Sequence, residues 1–137
     1  MMLKKISSII CMIASIILMA TPYGVAMTFL VEVDPDVYQT NYFSYFSDIP
    51  WGGGADLCPI ATALMSIVVL TLLFTGFKTD ISPAVKVLLL CCIGASIISW
   101  LVFKSFTFVA LAVTVLHAIT FILQICPKKD VSAKMQR

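Results

Sequence analysis

Charge is missing from four long stretches of this chain, residues 6–29, 58–77, 87–103 and 105–125. Each is about 17–24 residues long, enough for a helix to cross the roughly 30 Å of a bilayer's hydrocarbon. The charges between them separate by sign. Lys4, Lys5, Lys78, Lys86, Lys128, Lys129, Lys134 and Arg137 fall on one side, and Glu32, Asp34, Asp36, Asp48 and Asp56 on the other, with Lys104 alone for basic company. Positive segments stay cytoplasmic. The pattern therefore predicts a multi-pass protein of the plasma membrane with both ends inside. The expected fold is an all-α integral membrane four-helix bundle, a single four-span domain over residues 1–137. Its spans lie at about 6–29, 58–77, 83–103 and 105–125, with an outer loop at 30–56 between helices one and two and a cytoplasmic tail at 126–137.

Composition supports this reading. The chain is 61% hydrophobic and 12% charged, against about 25% charged in a soluble domain. At 137 residues a soluble fold cannot hide that much apolar surface. The net charge is only +2, and the basic residues flank spans instead of forming a stripe. Nucleic acid is therefore not an expected partner, whereas the lipid bilayer is.

The N-terminal segment supports two readings. Lys4 and Lys5 followed by an apolar core, Pro22 and the small residues Gly24-Val25-Ala26 resemble a signal peptide with a cleavage site near residue 26. The apolar run, however, continues through Met27, Thr28, Phe29, Leu30 and Val31, and Ser7, Cys11 and Ser15 form a small-residue stripe. We read it as an uncleaved span that kinks or ends near Pro22, whose ring lacks an amide donor.

The outer loop opens with an alternating, extended-looking stretch at Val31-Glu32-Val33-Asp34, which Pro35 keeps short. Tyr38, Tyr42, Tyr45 and Phe46 then share one face if the segment is helical, which predicts a short helix lying on the outer membrane surface. Asp56 is placed to cap span two, and Ser82-Pro83 to open span three. All Tyr and Trp residues (Tyr23, Tyr38, Tyr42, Tyr45, Trp51 and Trp100) fall on or near the outer side, so the loop is expected to cover the outer mouth of the bundle. The turn at Lys104-Ser105 is so short that spans three and four must form an antiparallel hairpin. Cys91, Ala95 and Ser99 in span three, and Ala110, Thr114 and Ala118 in span four, read as its close-packed faces.

Candidate chemistry is sparse. His117 is the one ionisable residue near the middle of a span, and an intramembrane histidine is a functional hypothesis by default. Ala110, Thr114, His117, Phe121 and Gln124 fall on one helix face, so His117 is directed into the bundle. A proton relay would need an acidic partner and a bis-histidine haem a second histidine, and the spans hold neither. His117 is read as a neutral imidazole hydrogen-bonded to Thr, Ser or Gln. Glu32, Asp34 and Asp36 lack the further acidic ligands and central glycine of a calcium loop and read as a solvated acidic rim. Of the five cysteines, Cys11, Cys91 and Cys92 lie in spans, Cys126 at the inner end of the fourth and Cys58 at the outer face, so no disulfide is expected. No Cys-x-x-Cys, HExxH, Gly-x-Ser-x-Gly or P-loop pattern occurs, and no span carries the carboxylate a small multidrug exporter needs. No catalytic, cofactor-binding or metal residues are assigned, and an enzyme is not expected.

The runs Thr21-Pro22-Tyr23-Gly24-Val25-Ala26, Tyr42-Phe43-Ser44-Tyr45-Phe46, Pro50-Trp51-Gly52 and Pro59-Ile60-Ala61-Thr62-Ala63 resemble a group of small uncharacterised four-span membrane proteins of low-GC Gram-positive bacteria. The resemblance covers the first half of the chain. It implies the same four-span architecture and transfers no functional residue, because the group carries no established activity. The expected function is that of a non-enzymatic accessory or partner-binding membrane protein. The alternative is a small transporter or an oligomeric, holin-like pore in which several copies enclose Thr62, Ser66, Thr71, Thr75, His117 and Gln124.

Overall fold

A computed structural model describes residues 2–31, 34–47, 57–75, 82–104 and 106–125. It contains helix α1 (Met2–Ala20), strands β1 (Val25–Val31) and β2 (Asp34–Phe43), and helices α2 (Leu57–Thr75), α3 (Ser82–Phe103) and α4 (Phe108–Ile125). The helices pack as a ring in which α1 touches α2, α2 touches α3, α3 touches α4 and α4 closes back on α1. Three of them, α2, α3 and α4, are long and apolar enough to cross a membrane.

The bundle has an apolar skin around a partly polar interior. Ile10, Ile17, Leu64, Leu90, Leu101 and Phe108 are exposed, whereas Ser8, Ser15, Thr62, Ser66, Ser96 and His117 are buried. Water-soluble bundles do the reverse. A helix in lipid gains nothing by hiding leucine from acyl chains, so close packing and hydrogen bonds between helices decide which face turns inward.

Helix boundaries follow local chemistry. α1 stops at Ala20, two residues before Pro22, and the Thr21 hydroxyl donates to the Leu18 carbonyl at 2.7 Å. α3 opens at Ser82 with Pro83 next, as expected of a first-turn proline. It ends at Phe103, after which Lys104 takes a φ of 51°, the left-handed stop more often given to glycine. Thr107 caps α4: its hydroxyl accepts from the Ala110 amide at 3.0 Å, and its carbonyl accepts from Leu111 at 3.0 Å.

Three expectations are corrected. The first span does not run to residue 29, because the helix ends at Ala20 and Val25–Val31 is a strand. The aromatic stretch after residue 38 is not a surface helix but part of β2, antiparallel to β1 with Val25 opposite Phe43 and Thr28 opposite Thr40. The physical reason is shared: the apolar end of the presumed span and the aromatic segment pair with each other, and β-branched and aromatic residues favour that pleated surface. The Thr28 and Thr40 hydroxyls lie 3.3 Å apart across the pair. Finally, the buried stripe of α3 is Val85, Leu89, Cys92, Ser96 and Ser99, so of the expected small-residue stripe Ser99 is buried, Ala95 half-buried and Cys91 exposed. α3 is apolar all round, so its sequence gives no direction to its inner face. α3 and α4 do pack together, as the short turn demanded.

The acidic rim residue Glu32, the Trp51 and triple-glycine segment, Asp56, Lys78 and the 126–137 tail with Cys126 lie outside the described residues. Of Asp34 and Asp36 only the backbone is described. The cysteines among the described residues are free.

Candidate functional site

Two features stand out, a joint that fixes the β-hairpin to the bundle and a polar layer below it. The joint is made of groups far apart in sequence. The Tyr45 amide donates to the Met19 carbonyl at 3.0 Å, which satisfies one of the acceptors left open at the end of α1. The Thr107 hydroxyl donates to the Gly24 carbonyl at 2.8 Å while it caps α4. Val25 and Tyr45 are buried in one apolar cluster with Met19, Ala63, Ala110 and Val113. Gly24 is required by the Tyr45 ring, because a Cβ at that position would lie 2.6 Å from Tyr45 Cδ2. The Tyr23 and Tyr42 rings stand 6.2 Å apart on the outside of the same joint. A Ser44–Ser47 turn steadies the exit from β2, with hydroxyl oxygens 3.0 Å apart and the Phe46 amide donating to Ser44 Oγ at 3.1 Å. Burial also pushes the Tyr45 phenol up from 10.0 to about 12, since the anion loses its water.

This joins two motifs that the sequence reading could only quote side by side. The Pro22-Tyr23-Gly24 run and the Tyr42-to-Phe46 run form one structural unit. Tyr23, Tyr42, Tyr45 and Trp100 gather at this end of the bundle, with Trp100 meeting Phe106 edge-on at 5.3 Å. The root of the hairpin covers the mouth of the bundle, as expected of the loop. Thr28, Gln39, Thr40 and Asn41 farther along it are exposed.

The polar layer sits midway along the helices. His117 on α4 is fully buried and reaches Ser66 on the diagonally placed α2, with Nε2 and Oγ 2.9 Å apart. Cys92 on α3 brings its Sγ to 4.0 Å from Ser66 Oγ. Ser15 supplies the α1 member. Gln124 of α4 donates to Ser8 of α1 at 3.3 Å. Seven residues along each antiparallel helix from that contact, about 10 Å, bring Ser15 and His117 to one depth. Ser66, Cys92 and His117 thus meet at the centre, and Ser15 lies at the same depth on α1.

The Ser66 hydroxyl has one hydrogen, donates to the Thr62 carbonyl at 2.6 Å and pairs with His117 Nε2 at 2.9 Å, where donor and acceptor depend on the imidazole tautomer. His117 Nδ1, Ser15 Oγ and Ser96 Oγ are buried polar atoms without a protein partner among the described residues.

The inward direction of His117 matches the sequence reading, and its hydrogen bond to a serine is of the kind expected. Ser15, Cys92 and Ser96 were missed as neighbours of the site. The only sequence signal was their recurrence as polar or small residues inside apolar runs. Thr71 and Thr75 do not belong to the site: both are exposed and bond to carbonyls of their own helix. No group of three or more His, Cys, Asp or Glu among the described residues is placed to hold a metal ion. No family model, curated protein or solved structure matches this chain.

Proposed function

We propose that this chain is a non-enzymatic accessory protein of the plasma membrane that presents its β-hairpin to a protein partner. In this reading α1 is a fourth span beside α2, α3 and α4, and the hairpin faces outward. Lys4, Lys5 and Lys86 sit at the opposite end of the helices from the hairpin, which supports cytoplasmic ends. The resemblance to the small Gram-positive membrane proteins belongs to the same proposal.

One observation carries the reading. A lone two-stranded hairpin is marginal in water, yet this one is locked at its root to α1 and α4 and keeps Thr28, Gln39, Thr40 and Asn41 exposed beyond it. A rigid root that carries exposed polar residues is the construction of a presented binding element. The test is a photo-crosslinking amino acid placed at Asn41 in living cells, with Ile10 as a lipid-facing control. A discrete protein adduct from Asn41 but not Ile10 is expected. A chain whose residues 26–42 are replaced by a short Gly-Ser linker and which still complements a deletion overturns the proposal.

A small transporter is the second reading, favoured by the central polar layer. It needs no oligomer to enclose Thr62, Ser66 and His117, because a single chain already buries them.

A further inference from the structure

The space above His117 differs from the space below it. Under the hairpin lies a cavity lined by Gly24, Tyr45, Thr62, Ser96, Ser99 and Trp100, among others. Its room for a water centre is about 10 Å³, close to what one water needs. Ser96 is almost fully buried, lines this cavity, and has no protein partner for its hydroxyl among the described residues. One turn deeper, the Thr62 carbonyl takes the Ser66 hydroxyl and lies 4.0 Å from Cys92 Sγ. That step leads to His117 Nδ1 and Ser15 Oγ, both fully buried and both unpartnered. Below this level the interior is dominated by Met12, Val69, Leu73, Val85 and Leu89, and its buried hydroxyls are already partnered, Ser8 by Gln124 and Thr120 by the Leu116 carbonyl of its own helix.

We propose that the hairpin half of the bundle is a hydrated half-channel that ends at His117. Its ligand class is water, or a neutral polar solute of about that size. Two features argue for it: buried hydroxyls and an imidazole nitrogen in need of partners, and a cavity of the right size beside the first of them. The apolar cluster closes the path on the other side. Ser96 is the first relay and His117 with Ser15 the terminus, so access to the centre is one-sided. The inference stands apart from the partner-binding reading, since it concerns the interior and not the exposed hairpin.

The test uses the intact protein in lipid bilayers. Solid-state NMR with polarisation transferred from water protons reads the build-up at labelled Ser96, His117, Val69 and Leu89, with exposed Thr40 as the wet reference. Ser96 and His117 are expected to build up several-fold faster than Val69 and Leu89, and Ser96→Val is expected to slow the transfer to His117. Equal, slow build-up at His117, Val69 and Leu89 overturns the proposal. So does fast build-up at all four, which would mean that water enters from both sides. If Ser96→Val does not fold, the wild-type comparison alone decides.

Discussion

The two halves of the bundle solve the same packing problem by different chemistry. Toward the hairpin, Met19, Val25, Tyr45, Ala63, Ala110 and Val113 pack among serine and threonine hydroxyls, and the backbone is tied across elements by hydrogen bonds. Toward the other end, Met12, Val69, Leu73, Val85 and Leu89 interlock without a side-chain hydrogen bond. In lipid neither solution has a hydrophobic driving force between helices, so shape fit dominates one half, with the Gln124–Ser8 bond as its tie between α1 and α4, and hydrogen bonds with small residues dominate the other. The comparison teaches that stability and specificity are placed apart. The apolar half is where volume matters, and the hairpin half is where individual atoms matter.

The most severe way to break this comparison is to trade volumes. Leu89→Ala should cost about 2–4 kcal/mol, because a fully buried side chain leaves a cavity that its neighbours only partly fill. Ser96→Ala, at a comparably buried site of the other half, removes a hydroxyl with no protein partner and should cost no more than about 0.6 kcal/mol. Thermal unfolding in detergent checks both, and equal losses would erase the distinction between the halves.

Adding atoms tests two glycines on the hairpin side of the central layer, one at the root and one on α3. Gly24→Val drives a branched side chain into the Tyr45 ring and should cost about 1–3 kcal/mol while loosening the hairpin. Gly94→Ala meets nothing within 4 Å and lies mid-helix, so it should stabilise by roughly 0.5–1 kcal/mol. Limited proteolysis within the hairpin should accelerate for Gly24→Val alone.

Alkali sharpens the comparison without mutation. The folded pKa of Tyr45, about 12, lies above its unfolded value of 10.0. The unfolded chain therefore loses its proton first, and stability contributed by this group is complete below about pH 10 and is lost as pH rises through about 12. The slope is at most about 1.4 kcal/mol per pH unit. Tyrosinate absorbance should show an ionisation step near pH 12, and Tyr45→Phe should remove it.

The smallest expected effect tests one bond. Thr107→Val removes both the α4 cap and the link to the Gly24 carbonyl, at a cost of about 1 kcal/mol, and Thr107→Ser should restore most of it. A Thr107→Ser variant as weak as Thr107→Val would assign the loss to the methyl group and not to the hydroxyl.

The helices were legible because uncharged length alone nearly specifies a membrane helix, and Pro22 and Pro83 mark ends by local rules. The inward face of α4 was legible because Thr114, His117 and Gln124 break its apolar surface on one side. The hairpin was not, since β1 reads as the tail of an apolar run until its partner, β2, is known. Pairing between segments is a two-body property that no single window contains. The polar layer was only half legible for the same reason. His117 announces itself, but Ser66 becomes its partner only through a diagonal contact across the ring, and the inner face of α3 misled because its small residues, Cys91, Cys92, Ala95, Ser96 and Ser99, lie on two adjacent faces.

The link between Gly24 and Thr107 also sets an order of assembly. Its two ends are 83 residues apart, and α1 finds its ring-closing neighbour only in α4. During synthesis the hairpin strands can pair as soon as they emerge and bond to α1 through Tyr45 and Met19, but their seat is incomplete until α4 is in place. Closing such a long loop is slow compared with forming a local hairpin. A chain that ends before residue 107 therefore lacks the Thr107 tie to Gly24 and leaves the α4-facing flank of α1 uncovered.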